Sequence, residues 1–137
     1  MKSPLRLVAG IVAGCLGAVI VAGVGFWTLR TFWPGYAEAE PEKAYSLGML
    51  LARLTVGALC TAGGAIAATI VARDGGRAAW WFGGLFLLLS LRPHLYTVWD
   101  DYPGWYHFVY LGYLVPIAGF TGRWWARSAA GRLSAET

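Results

Sequence analysis

The chain has 137 residues, of which 58% are hydrophobic and only 13% are charged, and its formal net charge is +4. Soluble domains carry about 25% charged residues, so the composition disfavours a soluble domain and suggests apolar segments that cross a membrane. The basic residues form no single block and do not alternate with aromatic residues along one face, which argues against a nucleic-acid partner.

The first apolar run extends from Leu7 to Leu29. It is long enough to cross a bilayer, for which about 20 residues suffice, and we predict a helix over about residues 6–32. Small residues recur every four positions on one face of this helix, where a second helix can approach closely. These residues are Gly10, Gly14, Ala18 and Ala22.

A cleaved signal peptide is the alternative for this run. Lys2 and Arg6 make a basic start, and Val12 to Cys15 resembles a lipoprotein cleavage box. The residues after Cys15 stay apolar as far as Leu29, whereas a processed lipoprotein would become polar there. The pattern therefore favours an uncleaved span.

The second predicted helix covers about residues 42–72, after an acidic loop at about 33–41 that contains the turn signal Pro34-Gly35. The apolar run from Ala44 to Ala72 would be roughly 43 Å long, more than the hydrocarbon core of about 30 Å. This helix must tilt or project from the membrane. Arg53 interrupts it, above a stripe of mostly small residues.

The third apolar run, Ala78 to Leu91, is too short to span, at about 21 Å. We therefore expect the helix to continue past Pro93, with a kink, over about residues 78–98. A cytoplasmic loop at about 73–77 precedes it and a periplasmic loop at about 99–104 follows it. The fourth helix is predicted over about 105–123, and the tail from Ser128 as a poorly ordered end.

Three signals agree on the orientation of this bundle. With both termini in the cytoplasm, seven basic residues lie inside and four outside, as the positive-inside rule requires. The inside set is Lys2, Arg6, Arg73, Arg77, Arg123, Arg127 and Arg132. Acidic residues favour the outside, and tryptophans fall at both boundaries. The sequence thus predicts one all-α domain over residues 1–137, an integral bundle of four transmembrane helices in a bacterial inner membrane.

Three predicted helices carry an arginine at their periplasmic ends, namely Arg30, Arg53 and Arg92. One interpretation is structural: Arg53 extends to the interface and pairs with Asp100, Asp101 or the loop glutamates. The other is a cationic pocket facing the periplasm, because ionisable groups inside membranes are candidates for function. The candidate ligand-binding set is Arg53, Arg92, His94, Asp100, Asp101, His107 and Tyr110.

Metal binding and catalysis have less support. His94, His107, Asp100 and Asp101 are residue types that zinc accepts, but their spacing matches no known closed motif. The Asp100-Asp101 pair could act as acid and base, yet it more simply ends the third helix. No nucleotide loop or catalytic motif occurs. We therefore predict no catalytic residue, no metal and no cofactor.

The two cysteines, Cys15 and Cys60, each lie inside an apolar run and form no CxxC pair. They are interpreted as small buried residues. A disulfide between the first two helices stays open as an alternative.

Residues Leu51 to Gly57, followed by Gly63-Gly64, resemble the R-L-x-x-G segment of DoxX-like small bacterial membrane proteins. The motif lies in the second predicted helix here, whereas that family has it in the first. The resemblance implies a bacterial inner-membrane protein of four helices, with a role in redox or envelope upkeep.

Two functional hypotheses follow. The first is a non-enzymatic accessory or scaffold protein whose small-residue faces, Gly10/Gly14/Ala18 and Gly57/Thr61/Ala65, pack on partner helices in the bilayer. The second is a small transporter or a membrane protein that binds an anionic or quinone-like ligand, and since four helices leave little room for a pathway, it expects a homodimer. The first loses its main support if both faces are used inside one monomer. The second requires that Arg53 line a cavity open to the periplasm, and an ion pair of Arg53 sealed against Asp100 or Asp101 would argue against it.

Overall fold

The computed structural model describes residues 4–135, and every element in that range is helical. The elements are α1 (Pro4–Phe32), α2 (Pro34–Ala39), α3 (Leu47–Ala72), α4 (Arg77–Arg92), a π turn (Pro93–Thr97), a 3-10 turn (Trp99–Asp101) and α5 (Gly104–Ala135). The all-α prediction is confirmed for these residues. Lys2, which was counted among the basic residues on the inside, lies outside them.

The second long helix begins at Leu47, later than the sequence indicates. Lys43 has a φ of 55°, a left-handed conformation that no α-helix accommodates. Ser46 then caps α3, since its hydroxyl oxygen accepts from the backbone N–H of Met49 at 3.3 Å. The acidic segment also contains a helix that was not predicted, α2, which Pro34 opens at its first turn.

The helical path continues past Pro93 as expected, in the form of a π turn. The N–H of Val98 donates to the carbonyl of Pro93 at 2.9 Å. Proline has no N–H to give to the preceding turn, so the hydrogen-bond register changes there. At the other end of the chain α5 runs to Ala135. The prediction of a poorly ordered tail is therefore wrong for residues 128–135, whose three alanines and one arginine favour helix.

The bundle has an Arg53 end and an Asp74 end. The Arg53 end contains the last turn of α1, α2, the start of α3, the π turn and the start of α5. The Asp74 end contains the start of α1, the α3–α4 turn and the last turns of α5. α1 packs on α3 and α4, and α5 packs on the same two helices.

The Asp74 half of the bundle is stabilised by close packing of helices that carry mostly small side chains. Its core is mostly alanine around one fully buried ring, Phe82. A Cβ atom added at Gly64 would lie 2.6 Å from the carbonyl oxygen of Gly14 and 2.5 Å from Cζ of Phe82. The small-residue faces of α1 and α3 are therefore in contact with each other and with α4 inside the monomer.

Two helices are long and apolar enough to cross a membrane, α1 and α3. They differ in their surroundings. Half of the most apolar 18-residue stretch of α3 is buried inside the bundle, but only 17% of the corresponding stretch of α1 is buried. α1 leaves large apolar side chains exposed along its length, including Val12, Leu16, Val19 and Trp27.

Candidate functional site

The guanidinium of Arg53 lies at the centre of the Arg53 end and binds three tyrosine hydroxyls. Its Nη1 donates to the hydroxyls of Tyr36 and Tyr45, the latter at 3.3 Å, and Nη2 donates to that of Tyr102 at 2.8 Å. The cation also lies 4.9 Å from the ring centroid of Phe26, within cation–π range. One side chain of α3 thereby joins α1, the first loop and the last loop.

Four tyrosines form a stacked column around this guanidinium. Tyr36, Tyr45, Tyr102 and Tyr106 follow one another with ring centroids 5.7, 5.7 and 4.7 Å apart. Tyr36, on the short helix α2, is fully buried, and Tyr102 and Tyr106, which follow the 3-10 turn, are nearly so. The core at the Arg53 end therefore combines these rings and hydroxyls with two aliphatic side chains, Leu50 and Leu54.

Glu40 binds Arg30 and only approaches Arg53. Its carboxylate accepts two hydrogen bonds from Arg30, at 2.6 and 2.9 Å, but its nearest oxygen is 3.7 Å from Nη1 of Arg53. The bidentate pair holds the pKa of Glu40 below its usual range. The Arg53 charge is therefore weakly compensated.

The tyrosines do not neutralise this charge. Burial raises the pKa of the Tyr36, Tyr45 and Tyr102 hydroxyls above its ordinary value, so they stay protonated at neutral pH. Two guanidinium groups and one carboxylate then leave a net charge of +1 on the cluster. Arg53 also retains an unused donor, since its Nε is buried and has no hydrogen-bond partner among residues 4–135.

A cavity of about 360 Å³ opens beside Arg53. Its polar wall consists of Arg53, His94 and the tyrosines Tyr102, Tyr106 and Tyr110, while side chains of α1, Phe86 and Cys60 make the rest apolar. Ligand pockets in proteins measure about 300–1,000 Å³ and combine a mostly apolar lining with a few placed polar groups. The Arg53 cavity has both properties.

His94, His107 and the carbonyl of Trp99 form a row of hydrogen bonds, and the carbonyl fixes which ring nitrogen carries the proton in each neutral histidine. His107 is fully buried, and its Nε2 lies 3.1 Å from the carbonyl oxygen of Trp99. A carbonyl only accepts, so Nε2 carries the proton and Nδ1 is the acceptor. His94 Nδ1, 3.0 Å away, must then donate. The neutral His94 ring consequently offers a lone pair at Nε2, and no group in the described chain donates to that atom.

The structure brings together part of the predicted set. Arg53, His94 and Tyr110 line the cavity, and His107 supports His94 from behind. Arg92, exposed at the end of α4, does not line it. Of the partners predicted for Arg53, the structure brings only a loop glutamate near it, Glu40 at 3.7 Å, and within residues 4–135 neither Asp100 nor Asp101 forms an ion pair with Arg53.

Sequence reasoning missed the residues that hold the guanidinium. They are Phe26, Tyr36, Tyr45, Tyr102 and Tyr106. A signal was present: three of these tyrosines lie in or beside polar loops next to helix ends, and a buried tyrosine hydroxyl needs a partner. An arginine inside an apolar helix supplies several donors to such hydroxyls.

The cysteines and possible metal ligands form no further centre within residues 4–135. Cys15 and Cys60 are free thiols, the first half-buried and the second buried. No group of three or more histidine, cysteine or acidic side chains in that range is arranged to hold a metal ion. His94 and His107 face each other at their Nδ1 atoms, and neither aspartate joins them.

No protein-family model, no curated protein and no solved structure matches the chain. The resemblance of residues 51–57 to the DoxX-like segment stays a similarity of sequence.

Proposed function

We propose that the chain is a four-span integral protein of a bacterial inner membrane, with both termini in the cytoplasm. α1 and α3 supply two spans. The 16 residues of α4 and the five of the π turn supply a third, because together they measure roughly 31 Å at 1.5 Å per residue. In α5 the stretch 104–122 contains no Asp, Glu, Lys or Arg, and supplies the fourth.

Cysteine labelling tests this topology. Cys15 and Cys60 are first replaced by alanine, and Glu42→Cys or Gly131→Cys is introduced at an exposed position of each end. A maleimide that does not cross the inner membrane is expected to label the first variant in intact cells and the second only after permeabilisation. Labelling of both variants in intact cells, or only of Gly131→Cys, would contradict the four-span arrangement.

We further propose that the protein binds a small ligand with an anionic head at Arg53. The place of the Arg53 guanidinium in the wall of the cavity carries this proposal, because Glu40 compensates its charge only weakly and a hydrogen bond from a charged donor to an anionic oxygen is stronger than a neutral one. The net charge of +1 favours an anion over a neutral head. Tyrosines on three sides fix the guanidinium, so little side-chain entropy would be lost on binding.

The scaffold hypothesis loses its motivating observation. Gly10 and Gly14 pack against α3 and α4, and Thr61 and Ala65 are fully buried within the bundle. Both small-residue faces are thus occupied inside one monomer. The cavity beside Arg53, with its charged and tyrosine-lined wall, favours ligand binding instead.

Native mass spectrometry of the protein released from lipid nanodiscs tests the binding proposal. The wild-type protein is expected to retain an acidic small molecule, and Arg53→Gln to lose it. Arg92→Gln is the matched control, since it removes a charge from the same end without touching the cavity. Equal retention by both variants, or a bare monomer from the wild type, would contradict the proposal. A second polypeptide at fixed stoichiometry, with no small molecule, would restore the scaffold hypothesis.

A further inference from the structure

The two sides of the α1 helix differ along its length. α1 packs closely against α3 at both of its ends. A Cβ added at Gly10 would lie 2.8 Å from Cβ of Ala72, and a Cβ added at Gly25 would lie 2.7 Å from Cγ1 of Val56. Its close approaches to α4 involve Gly10 and Gly14, at the Asp74 half. Nearer the Arg53 end, Val19, Ala22 and Phe26 line the cavity.

The wall of the cavity includes residues of α1 and just after α4 that are exposed on the outside of the bundle, which indicates an opening between these two elements. Val19, one of its lining residues, is 69% exposed, and Pro93 on the opposite wall is exposed as well. Val19 lies in the middle of a candidate membrane span. In a bilayer this opening would therefore face lipid hydrocarbon.

The route from the loops is obstructed by contrast. Tyr36, Tyr102 and Tyr106 are buried and stack into the column over Arg53, and the Arg30–Glu40 pair lies beside it. A ligand arriving from the aqueous side would have to separate these rings and break hydrogen bonds of the guanidinium. A ligand arriving from the lipid would pass only apolar side chains.

The geometry points to a single-chain anionic amphiphile, of the fatty-acid type, that enters from the bilayer between α1 and α4. This inference rests on the proposed binding function and names its ligand class. The head binds the Arg53 guanidinium in the wall of the cavity, whose volume of about 360 Å³ is near the lower limit for ligand pockets. Such a space holds a head and a few carbons. The remaining chain leaves past Val19 and Ala22 into the lipid.

Photolabelling in phosphatidylcholine nanodiscs tests the route. The probe is a 16-carbon fatty acid with a diazirine in the middle of its chain, and hexanoate is the short competitor. We expect labelled peptides from residues 18–26 and 85–93. Labelling is expected to fall about tenfold in Arg53→Gln, the loss for one charge-assisted hydrogen bond.

Two tryptophan variants separate entry from head binding. Ala22→Trp fills the opening and is expected to abolish labelling by the long probe. Gly23→Trp is the matched control, because Gly23 has no neighbour within 4 Å, and it should label like the wild type. The positions labelled in the wild-type protein test the route without any substitution, so the test remains valid even if Ala22→Trp fails to fold.

The outcomes distinguish the two claims. Labels confined to residues 33–46 or 99–104 would overturn lateral entry and leave the head site intact. Hexanoate bound through Arg53, with no binding of the long probe, would do the same. If neither hexanoate nor the long probe binds, both the proposed function and this inference are overturned. Equal labelling of a neutral quinone with the same chain would overturn the choice of an anionic head.

Discussion

Replacing Arg53 by glutamine is expected to lower the free energy of unfolding by about 2–4 kcal/mol, because it leaves several buried polar groups without their partner. The hydroxyls of Tyr36 and Tyr102 lose their donor, and the two loops lose their common attachment to α3. Unfolding by sodium dodecyl sulfate in mixed micelles, followed by circular dichroism, measures the change.

Arg92→Gln and Arg53→Lys are the controls for this result. Arg92 is exposed at the end of α4, so its replacement should change stability by less than about 0.5 kcal/mol. Arg53→Lys keeps the charge but loses the planar fork, and should recover only part of the stability. If Arg53→Gln unfolds like Arg92→Gln, the tyrosine column does not depend on the guanidinium.

Gly64→Ala is expected to destabilise the bundle by about 1–3 kcal/mol, the range measured for overpacked cores. The added methyl group would meet the backbone oxygen of Gly14 on α1, which cannot move without the helix. This loss outweighs the gain of about 1 kcal/mol in helix propensity. The same unfolding assay applies.

Gly84→Ala is the matched control, since Gly84 lies inside α4 with no neighbour within 4 Å. It should be neutral or slightly stabilising. Unchanged stability of Gly64→Ala would show that the α1–α3 contact is not close. If that variant instead lost a co-purified protein at wild-type stability, the small-residue face would serve a partner after all.

The long helices could be predicted from the sequence because the length of an apolar run is a property of the local sequence alone. Arg53 could be singled out for a similar reason, as a charge inside an apolar helix. Its partner could not be deduced in the same way. The choice between Glu40 and the Asp100-Asp101 pair depends on where the loops turn, and α2 directs Glu40 toward Arg30 and Arg53.

The histidine pair depends on geometry that no spacing rule captures. His94 and His107 are 13 positions apart, on different elements. They meet because the π turn and the 3-10 turn reverse the chain within a few residues. The end of the last helix was misjudged for another reason: a charged tail with small residues resembles a disordered terminus, yet its helix propensity extends α5.

The central claim is that the Arg53 guanidinium binds the anionic head of a lipid-borne ligand. The most direct measurement is the dipolar coupling between [1-13C]palmitate and 15N-labelled arginine side chains, by solid-state NMR of the protein in lipid, with Arg53→Gln as the reference. A hydrogen bond of about 2.9 Å from nitrogen to oxygen would give a measurable carbon–nitrogen coupling to one guanidinium in the wild type and none in the variant. A coupling that persists in Arg53→Gln, or its absence from the wild type at saturating palmitate, would contradict the account.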